Sequence, residues 1–571
     1  MPEGVLPRSM ASLVGKRQGG RTYYYLVESA RVGGKPRIVS QRYLGSAEEV
    51  AARLSQAGPG EPARTRHLAF GDLAAVWGIL QRLGVVEIID DVVGARRADA
   101  AASVGTYLAL ATCNRVIAPR SKLAFADWWA TTAGDRMVKL PVAALDHRRF
   151  WDAMDVLDDA ALAEIQTRIA ARMVTEFDLG LSGLALDMTN FATYIDSAND
   201  RAPIAQRGHA KQKRTDLRLV GLGMVVSRDG AVPLVGHPYA GNRPDVAVFP
   251  TVVDELVTRY RALAAQDAEL TVVFDAGQNS AGNFAHLTDT GLHFVGSLPP
   301  SDHPELLALP AAARHVVDPE RFGGLSAHDT RATALGAQRR VILTHSPTLA
   351  AKQSVGFDQT LAKATRALGE LAATLACGKA RRDRAGVQAA ITKITRPRWV
   401  DRVLTTTLTD TTPDQMRLSF TIDPDARAQL ETELFGKRLL VTDRENWTIA
   451  EVVAAYRSQN DAEQGFRQLK DPKVVSFSPM FHWTDQKIRV HVFYCVLALA
   501  VAHLMRRHAT HAGLPMSVRE LLTTLAGIQE TVLLYPTTGG RPRARRMLTD
   551  TTPTQQRLYD LFDLATHAPH R

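Results

Sequence analysis

Apolar and polar positions follow two rhythms along this chain, and the rhythm changes several times. Residues 22–44 carry strand-like runs, RTYYYLVESA and KPRIVSQRYL, joined around Gly33-Gly34, which predicts a β-hairpin. From 68 to 178 the apolar residues recur at helical spacing, in LAAVWGILQRLGVVEIIDDVV, ASVGTYLALATCNRVI and DDAALAEIQTRIAARMV. At Gly183 the pattern turns to strands: LALDMTNFATYID, then LRLVGLGMVVSRDGAVPLVGHPYAG with a turn at Arg228-Asp229-Gly230. A helix over about 246–265, the short strand LTVVFD, another helix after Gly277 to Gly282 and the strand LHFVGS follow. Three strands, helix, strand, helix, strand predicts a mixed sheet flanked by helices, an α/β fold.

From about 299 to 435 the sequence is different in kind. Short strands (RRVILTH, VLTTTLTD, RLSFTID) accompany an amphipathic helical stretch over 349–376 and two basic segments, KARRDR at 379–384 and KITRPRW at 393–399. This reads as an inserted β-rich subdomain, because the α/β pattern resumes with KRLLVTD at 437–443. Helices are predicted over 449–469 and 487–507. The most apolar run, VHVFYCVLALAVAHL at 490–504, is too short to span a bilayer and holds His491 and His503, so it predicts a buried core helix and no membrane role. The chain thus divides into a basic hairpin region (1–66), a helical N-terminal region (67–180), an α/β core in two parts (181–298 and 436–510), the insertion (299–435) and a C-terminal region (511–571) with a basic segment, RPRARR, at 541–546.

Composition narrows the picture. At 571 residues the chain has room for three or four domains, and 45% hydrophobic with 22% charged residues excludes whole-chain disorder. Lys and Arg number 69 against 59 Asp and Glu, a net +10 that is mild for this length. Residues 1–66, however, carry eleven basic against five acidic side chains. A basic, Tyr-rich hairpin suits DNA, with cations on phosphates and rings on sugars or bases; the alternative is a small sheet with solvated charges. Cys113, Cys377 and Cys495 are far apart and show no C-x-x-C spacing, which argues against a disulfide framework or a cysteine zinc site and fits a reducing cytosol. Met1 to Lys16 lacks the apolar stretch of a secretory signal.

Two acids stand out because a lone charge in an apolar strand is expensive to bury. Asp187 interrupts LALDMT and Asp275 ends LTVVFD. Two carboxylates on neighbouring strands repel unless a cation lies between them, and oxygen-only ligands select Mg²⁺ or Mn²⁺. Glu463 is the candidate third ligand. In EVVAAYRSQNDAEQGFRQLKD, Tyr456, Gln459, Glu463, Arg467 and Lys470 fall at spacings of three and four, which on one continuous helix share a face. Glu463 would reach the metal while Arg467 and Lys470 hold phosphates; a solvated helix face would have the same composition. Arg207, Lys211, Lys213 and Arg214, in RGHAKQKRTD between the first two core strands, are candidate phosphate contacts. His209 in the same segment reads as a loop residue, since one His without partners makes no metal site. Trp399, beside Arg396 and Arg398, is a candidate for stacking on a displaced base, against the alternative of packing its own subdomain.

These residues resemble a family. Tyr456, Glu463 and Lys470 match the Y-x2-R-x3-E-x6-K signature of one group of DDE transposases of bacterial insertion sequences, with Gln459 in place of the signature Arg. Arg457 is displaced by two positions and points to a different helix face. The resemblance runs through RGHAKQKRTD, AGNRPD, VVFDAGQNSAGNF, LLVTDRENW and DQKIRVHV, covering about residues 20–505. It implies a ribonuclease H-like mixed sheet with a β-rich insertion between the second Asp and the Glu, and the 188 positions from Asp275 to Glu463 leave room for one. It also implies that Asp187, Asp275 and Glu463 bind two Mg²⁺ (or Mn²⁺) ions and cut and rejoin double-stranded DNA at the element's terminal inverted repeats and a target. By similarity, Tyr456 and Lys470 contact the end DNA, a synaptic homodimer assembles, and the protein works in the bacterial cytoplasm on the nucleoid. Two other readings stay open: a DNA-binding descendant without catalysis, and a ribonuclease H-like endonuclease without strand transfer.

Overall fold

A computed structural model describes residues 10–32, 35–56, 61–94, 100–211, 214–263, 269–377, 383–412, 415–535 and 543–569. Its centre is a mixed sheet of nine strands. In chain order these are β5 (Gly183–Thr193), β6 (Arg218–Ser227), β7 (Pro233–Ala240), β8 (Thr271–Val273), β9 (His293–Leu298), β10 (His315–Val316), β11 (Ser326–Ala334), β12 (Ala337–His345) and β15 (Lys437–Thr442). Across the sheet they run β10-β11-β12-β15-β9-β8-β5-β6-β7. β5 pairs with β8 and β8 with β9 in parallel; the other pairs are antiparallel. The strand and helix order read over 183–298 is present, with helices Asp245–Leu263 and Ala281–Thr290 between the strands. β6 is buried along its whole length, which is why its residues read as one apolar run rather than an alternation.

The Asp485–His511 helix is the hub. It packs on β7, on helices Gly71–Arg82, Val104–Ile117, His147–Asp155 and Asp159–Phe177 of the N-terminal region, and on Val518–Ala526 of the C-terminal region. By length and composition it is the one described helix that could cross a membrane, yet nearly all of its apolar window is buried inside the protein. Its two inner histidines are paired: His491 Nε2 with Phe477 O at 2.7 Å, and His503 with Ala231 O (2.6 Å) and Gln468 Oε1 (2.8 Å). Burial pushes His503 down to about 3.

Three features differ from the sequence expectations. The N-terminal hairpin gains a third strand: β1 (Met10–Gln18) joins β2 (Arg21–Val32) and β3 (Lys35–Ser46). The region expected as a β-rich insertion, 299–435, divides. β11 and β12 extend the central sheet, because the partner of β12 is β15, beyond the insertion. The remainder is mainly helical (Pro347–Ala376, Arg384–Thr395, Pro424–Leu434), with one hairpin of β13 (Leu404–Thr409) and β14 (Arg417–Ile422). It has its own apolar core, including Phe357, Leu368, Ile391, Leu418 and Phe435. Finally, the basic segment at 541–546 is in part structural. β17 (Arg543–Leu548) pairs with β16 (Gln529–Tyr535), which pairs in turn with β4 (Arg64–Ala69). Arg546 reaches the fully buried Glu530 at 2.6 Å, and Arg136 pairs with the same carboxylate. Arg541 lies outside the described residues, as do most of the basic positions of KARRDR.

Candidate active site

β5 and β8 run parallel, with Ala185 beside Val273. Asp187 and Asp275 each lie two residues beyond that pair, Asp275 where β8 has ended and a short turn begins, and the two acids are close enough for the charge of Asp275 to act on Asp187. Helix Gln459–Lys470 lies over β5 and β6 and presents Ala462, Gly465, Phe466 and Leu469 to the core. Gly465 allows the close approach: a Cβ there would stand 3.1 Å from Met224, the β6 neighbour of Asp187. Glu463 therefore comes to the two aspartates from above the sheet. The helix predicted over 449–469 is interrupted at Ser458, so Tyr456 belongs to helix Ile449–Arg457 while the other four polar residues stay on Gln459–Lys470; Tyr456, Gln459 and Glu463 line one cleft, and Arg467 and Lys470 do not.

The electrostatics tie the acids together. Asp187 is pushed up to about 6, chiefly by burial, with the charges of Glu463 and Asp275 adding and the Met188 N–H and Lys211 opposing. Asp275 Oδ1 accepts from Ser297 Oγ at 2.9 Å and from Tyr456 Oη at 3.4 Å. Burial raises the Tyr456 hydroxyl above its usual range. Glu463 is half exposed and turned onto Arg467 at 3.3 Å. The three carboxylates thus share a site without closing on one another, and among the described residues no three His, Cys, Asp or Glu side chains gather tightly enough to hold a metal ion. The donor chemistry nevertheless fits a hard divalent cation: all three donors are carboxylates, and the middle one is destabilised by the other two.

Cations surround them. Lys470 Nζ donates to Thr189 Oγ1 at 2.7 Å and is lowered to about 8 by burial and by Lys211, against Asp187. Lys211 bonds the Met188 carbonyl and pairs with Asp245 at 2.9 Å. Its loop is pinned to β5 by Asn190, which accepts from Lys211 N (3.2 Å) and donates to His209 O (2.9 Å). Gly208 lets that loop lie against the Gly241 carbonyl, where a Cβ would collide. Arg207 is exposed and donates to Ser197 Oγ at 3.2 Å, and Arg214 is held by both oxygens of Asp216 at 2.7 and 2.9 Å. Neither Arg207 nor Arg214 makes a hydrogen bond or ion pair with the three carboxylates. Lys213 lies outside the described residues.

A cleft of about 580 Å³ opens on Asp275, Glu463, Tyr456 and Gln459. Gln459 is buried, at 6% exposure. Trp399 and Arg398 of the insertion line the opposite wall, with the guanidinium 4.3 Å over the indole. Trp399 also packs on Phe435 at 5.4 Å and has a left-handed backbone, φ +70°. Trp399 thus packs its own subdomain, as one reading had it, and also lines the cleft. Sequence reasoning missed Lys437 and Arg438 in the same wall, and Arg457 lines it too, against the expectation that it points elsewhere. Arg438 lies 5.6 Å over the Tyr456 ring. It also missed Asp245, which accepts from Tyr239 Oη at 2.8 Å and holds Lys211 beside Asp187. The LLVTDRENW motif has a structural role: Asp443 accepts from Phe294 N at 2.8 Å, and Arg444 donates to Thr271 Oγ1 at 2.9 Å.

No protein-family model and no curated protein sequence matches the chain. Among solved structures, a cryo-EM structure of the piggyBac transposase synaptic complex with hairpin DNA aligns over 81% of this chain and 82% of that one, at 10% identity and a TM-score of 0.36. A likeness that weak carries no argument.

Proposed function

We propose that this chain is a DDE transposase that binds the terminal inverted repeats of its element and catalyses metal-dependent cleavage and strand transfer of double-stranded DNA. The observation that supports the proposal is electrostatic and topological: Asp187 and Asp275 each lie two residues past the last β5–β8 pair, Asp187 feels the charges of Asp275 and Glu463, and the latter two line a cleft with cations in its walls. The core topology, three antiparallel strands meeting two parallel ones, supports a ribonuclease H-like reading, with the helical subdomain over 346–435 as its insertion.

Asp187, Asp275 and Glu463 would hold Mg²⁺ or Mn²⁺, with Glu463 leaving Arg467 to do so. Two such ions supply an activated attacking oxygen and a stabilised leaving oxygen. The chain's own contribution is placement. Lys470 and Lys211 set the phosphate charge against β5, Tyr456 orients Asp275 through its hydroxyl, and Arg438, Arg457 and Arg398 attract the strand into the cleft. Trp399 offers a ring to an unpaired base there. In this proposal the active form is a synaptic homodimer, working in the bacterial cytoplasm on the nucleoid.

The test is cleavage of a DNA fragment bearing the element's terminal repeats. Wild type should cut with Mg²⁺, and Asp187→Asn, Asp275→Asn and Glu463→Gln should each abolish cutting while DNA binding survives. Wild-type cutting by the Glu463 variant overturns the third ligand, and binding that does not weaken as salt rises overturns the DNA reading.

A further inference from the structure

A second group of cations lies between the N-terminal helices and the loop that follows Lys470, and nothing in the proposed chemistry uses it. Arg115, on helix Val104–Ile117, is 2% exposed. Its Nη1 donates to Ser478 O at 2.9 Å and Ser476 O at 3.3 Å, and its Nη2 to Pro479 O at 3.0 Å and Arg120 O at 3.1 Å. All four of these acceptors are carbonyls. Lys122 points its ammonium inward, 2.6 Å from Tyr494 Oη and 3.3 Å from His482 Nε2. His491 Nδ1 shares the Tyr494 hydroxyl at 2.5 Å.

These groups repel one another. Burial first, then Arg115, lowers Lys122; His482 and His491 are lowered by burial and by the same cations. The charged groups on the neighbouring elements are committed elsewhere. Lys487 pairs with Asp155 at 2.8 Å, Asp146 caps its helix through Arg148 N at 2.9 Å with His147 at 3.6 Å, and Asp152 pairs with Arg149 at 3.8 Å. Arg115 meets carbonyl dipoles and the Tyr494 ring, 5.9 Å away, with the acids of the neighbouring elements committed elsewhere, and an anion in the adjoining cavity would supply a counter-charge.

A cavity of about 230 Å³ opens onto Arg115, Lys122 and His482, walled by Trp151 and rimmed by Leu123 and Phe481. Both rim residues are largely exposed, Leu123 at 73% and Phe481 at 66%, and Trp483, two positions on, is 62% exposed. Apolar rings left in water beside a cationic pocket match the two halves of a nucleotide. Packed rings run from this group to β5: Phe477 meets His491 at 4.9 Å and stacks on Phe191 at 4.2 Å, and Lys470 lies 5.4 Å over that same Phe191 ring.

We propose that this pocket binds a nucleotide, its phosphate held by Lys122 with the charge of Arg115 behind it and its base stacked on Phe481. A nucleotide within a DNA strand and a free nucleotide share that chemistry. The proposal is read by binding alone and stands whether or not the carboxylates cut DNA.

The experiment is calorimetry on the full chain without divalent metal, with three probes: inorganic phosphate, thymidine 5′-monophosphate and an eight-nucleotide oligothymidylate. Saturable binding of the monophosphate, tighter than of phosphate, is expected. Lys122→Met should weaken it about tenfold or more, the effect of losing a charged hydrogen bond. Phe481→Ala, a surface change that leaves the fold intact, should weaken the monophosphate about fivefold or more and leave phosphate unchanged. An oligonucleotide that binds more tightly than the monophosphate, with the same two losses, identifies the strand as the source; the reverse order identifies the free nucleotide. No saturable binding of any probe, or binding indifferent to both substitutions, overturns the proposal.

Discussion

Lys470 donates its ammonium to the hydroxyl of Thr189 at 2.7 Å, and Thr189 stands two residues beyond Asp187 on the same face of β5. The lysine is thereby fixed beside the acids rather than free on a helix surface. Because it is lowered to about 8, its charge is largely present at pH 7 and half lost near pH 8. End-DNA affinity should fall as pH rises from 7 to 9. Lys470→Met should weaken binding about tenfold at pH 7, the scale of one charged hydrogen bond, and flatten the pH profile. Lys470→Arg, which stays charged, should keep the affinity and lose the pH dependence. Fluorescence anisotropy at constant ionic strength measures all three; a Met variant that retains the wild-type profile refutes the assignment.

Asp187 gives a stability prediction of opposite form. Its folded value of about 6 exceeds the ordinary 3.8, so the native state holds a proton that the unfolded chain releases. The stabilisation is full below pH 3.8 and is lost as pH rises through 6. At pH 7.5 the ionised carboxylate is a burden, and Asp187→Asn should raise the unfolding free energy by about 1–3 kcal/mol in chelator, two pK units at about 1.4 kcal/mol each being the ceiling. Mg²⁺ should stabilise wild type and not the Asn variant. Urea denaturation with and without Mg²⁺ checks both, and a destabilised Asn variant contradicts the account.

How far the sequence revealed this site depended on how local the signal was. Asp187 and Asp275 were legible because each is a lone acid in an apolar run, and burial of such a charge demands a reason. Glu463 was legible through spacing, although the break at Ser458 changes what that spacing means. Asp245 was not legible: an acid in the first turn of a helix is an ordinary partner of the helix dipole, and only the fold sets it against Lys211. Arg398, Arg438 and Arg457 belong to three separate elements, and the cleft that unites them is a long-range product of folding. The same holds for the insertion. The Thr-rich strands around 404–422 were conspicuous, but that β12 would pair with β15 across it is a matter of register between distant segments.

Arg546 separates a structural from a DNA role for the basic C-terminal segment. Glu530 is fully buried between Arg546 and Arg136, at the strand that joins β4 to β17. Glu530→Gln should destabilise the protein by about 2–4 kcal/mol, near the cost of breaking a buried pair and reduced because both arginines are partly exposed. Arg546→Ala should cost about 1–2 kcal/mol and leave DNA affinity per folded molecule unchanged. Denaturant titration paired with anisotropy distinguishes the roles; an affinity loss without a stability loss would return Arg546 to the DNA-contacting surface.

Trp399 faces the cleft wall opposite Glu463 while its ring is held by Arg398 and Phe435. A ring fixed on one side and open on the other is suited to stacking on an unpaired base, because little side-chain freedom is lost on contact. Trp399→Ala should weaken binding of an end fragment with one unpaired nucleotide at the cut by about 5- to 100-fold, the range for losing one stacked base. Trp399→Phe should retain most of it, and a fully paired fragment should bind all three proteins alike. Equal losses on paired and unpaired DNA would mean that the substitution disturbs the subdomain core, through Phe435, rather than a base contact.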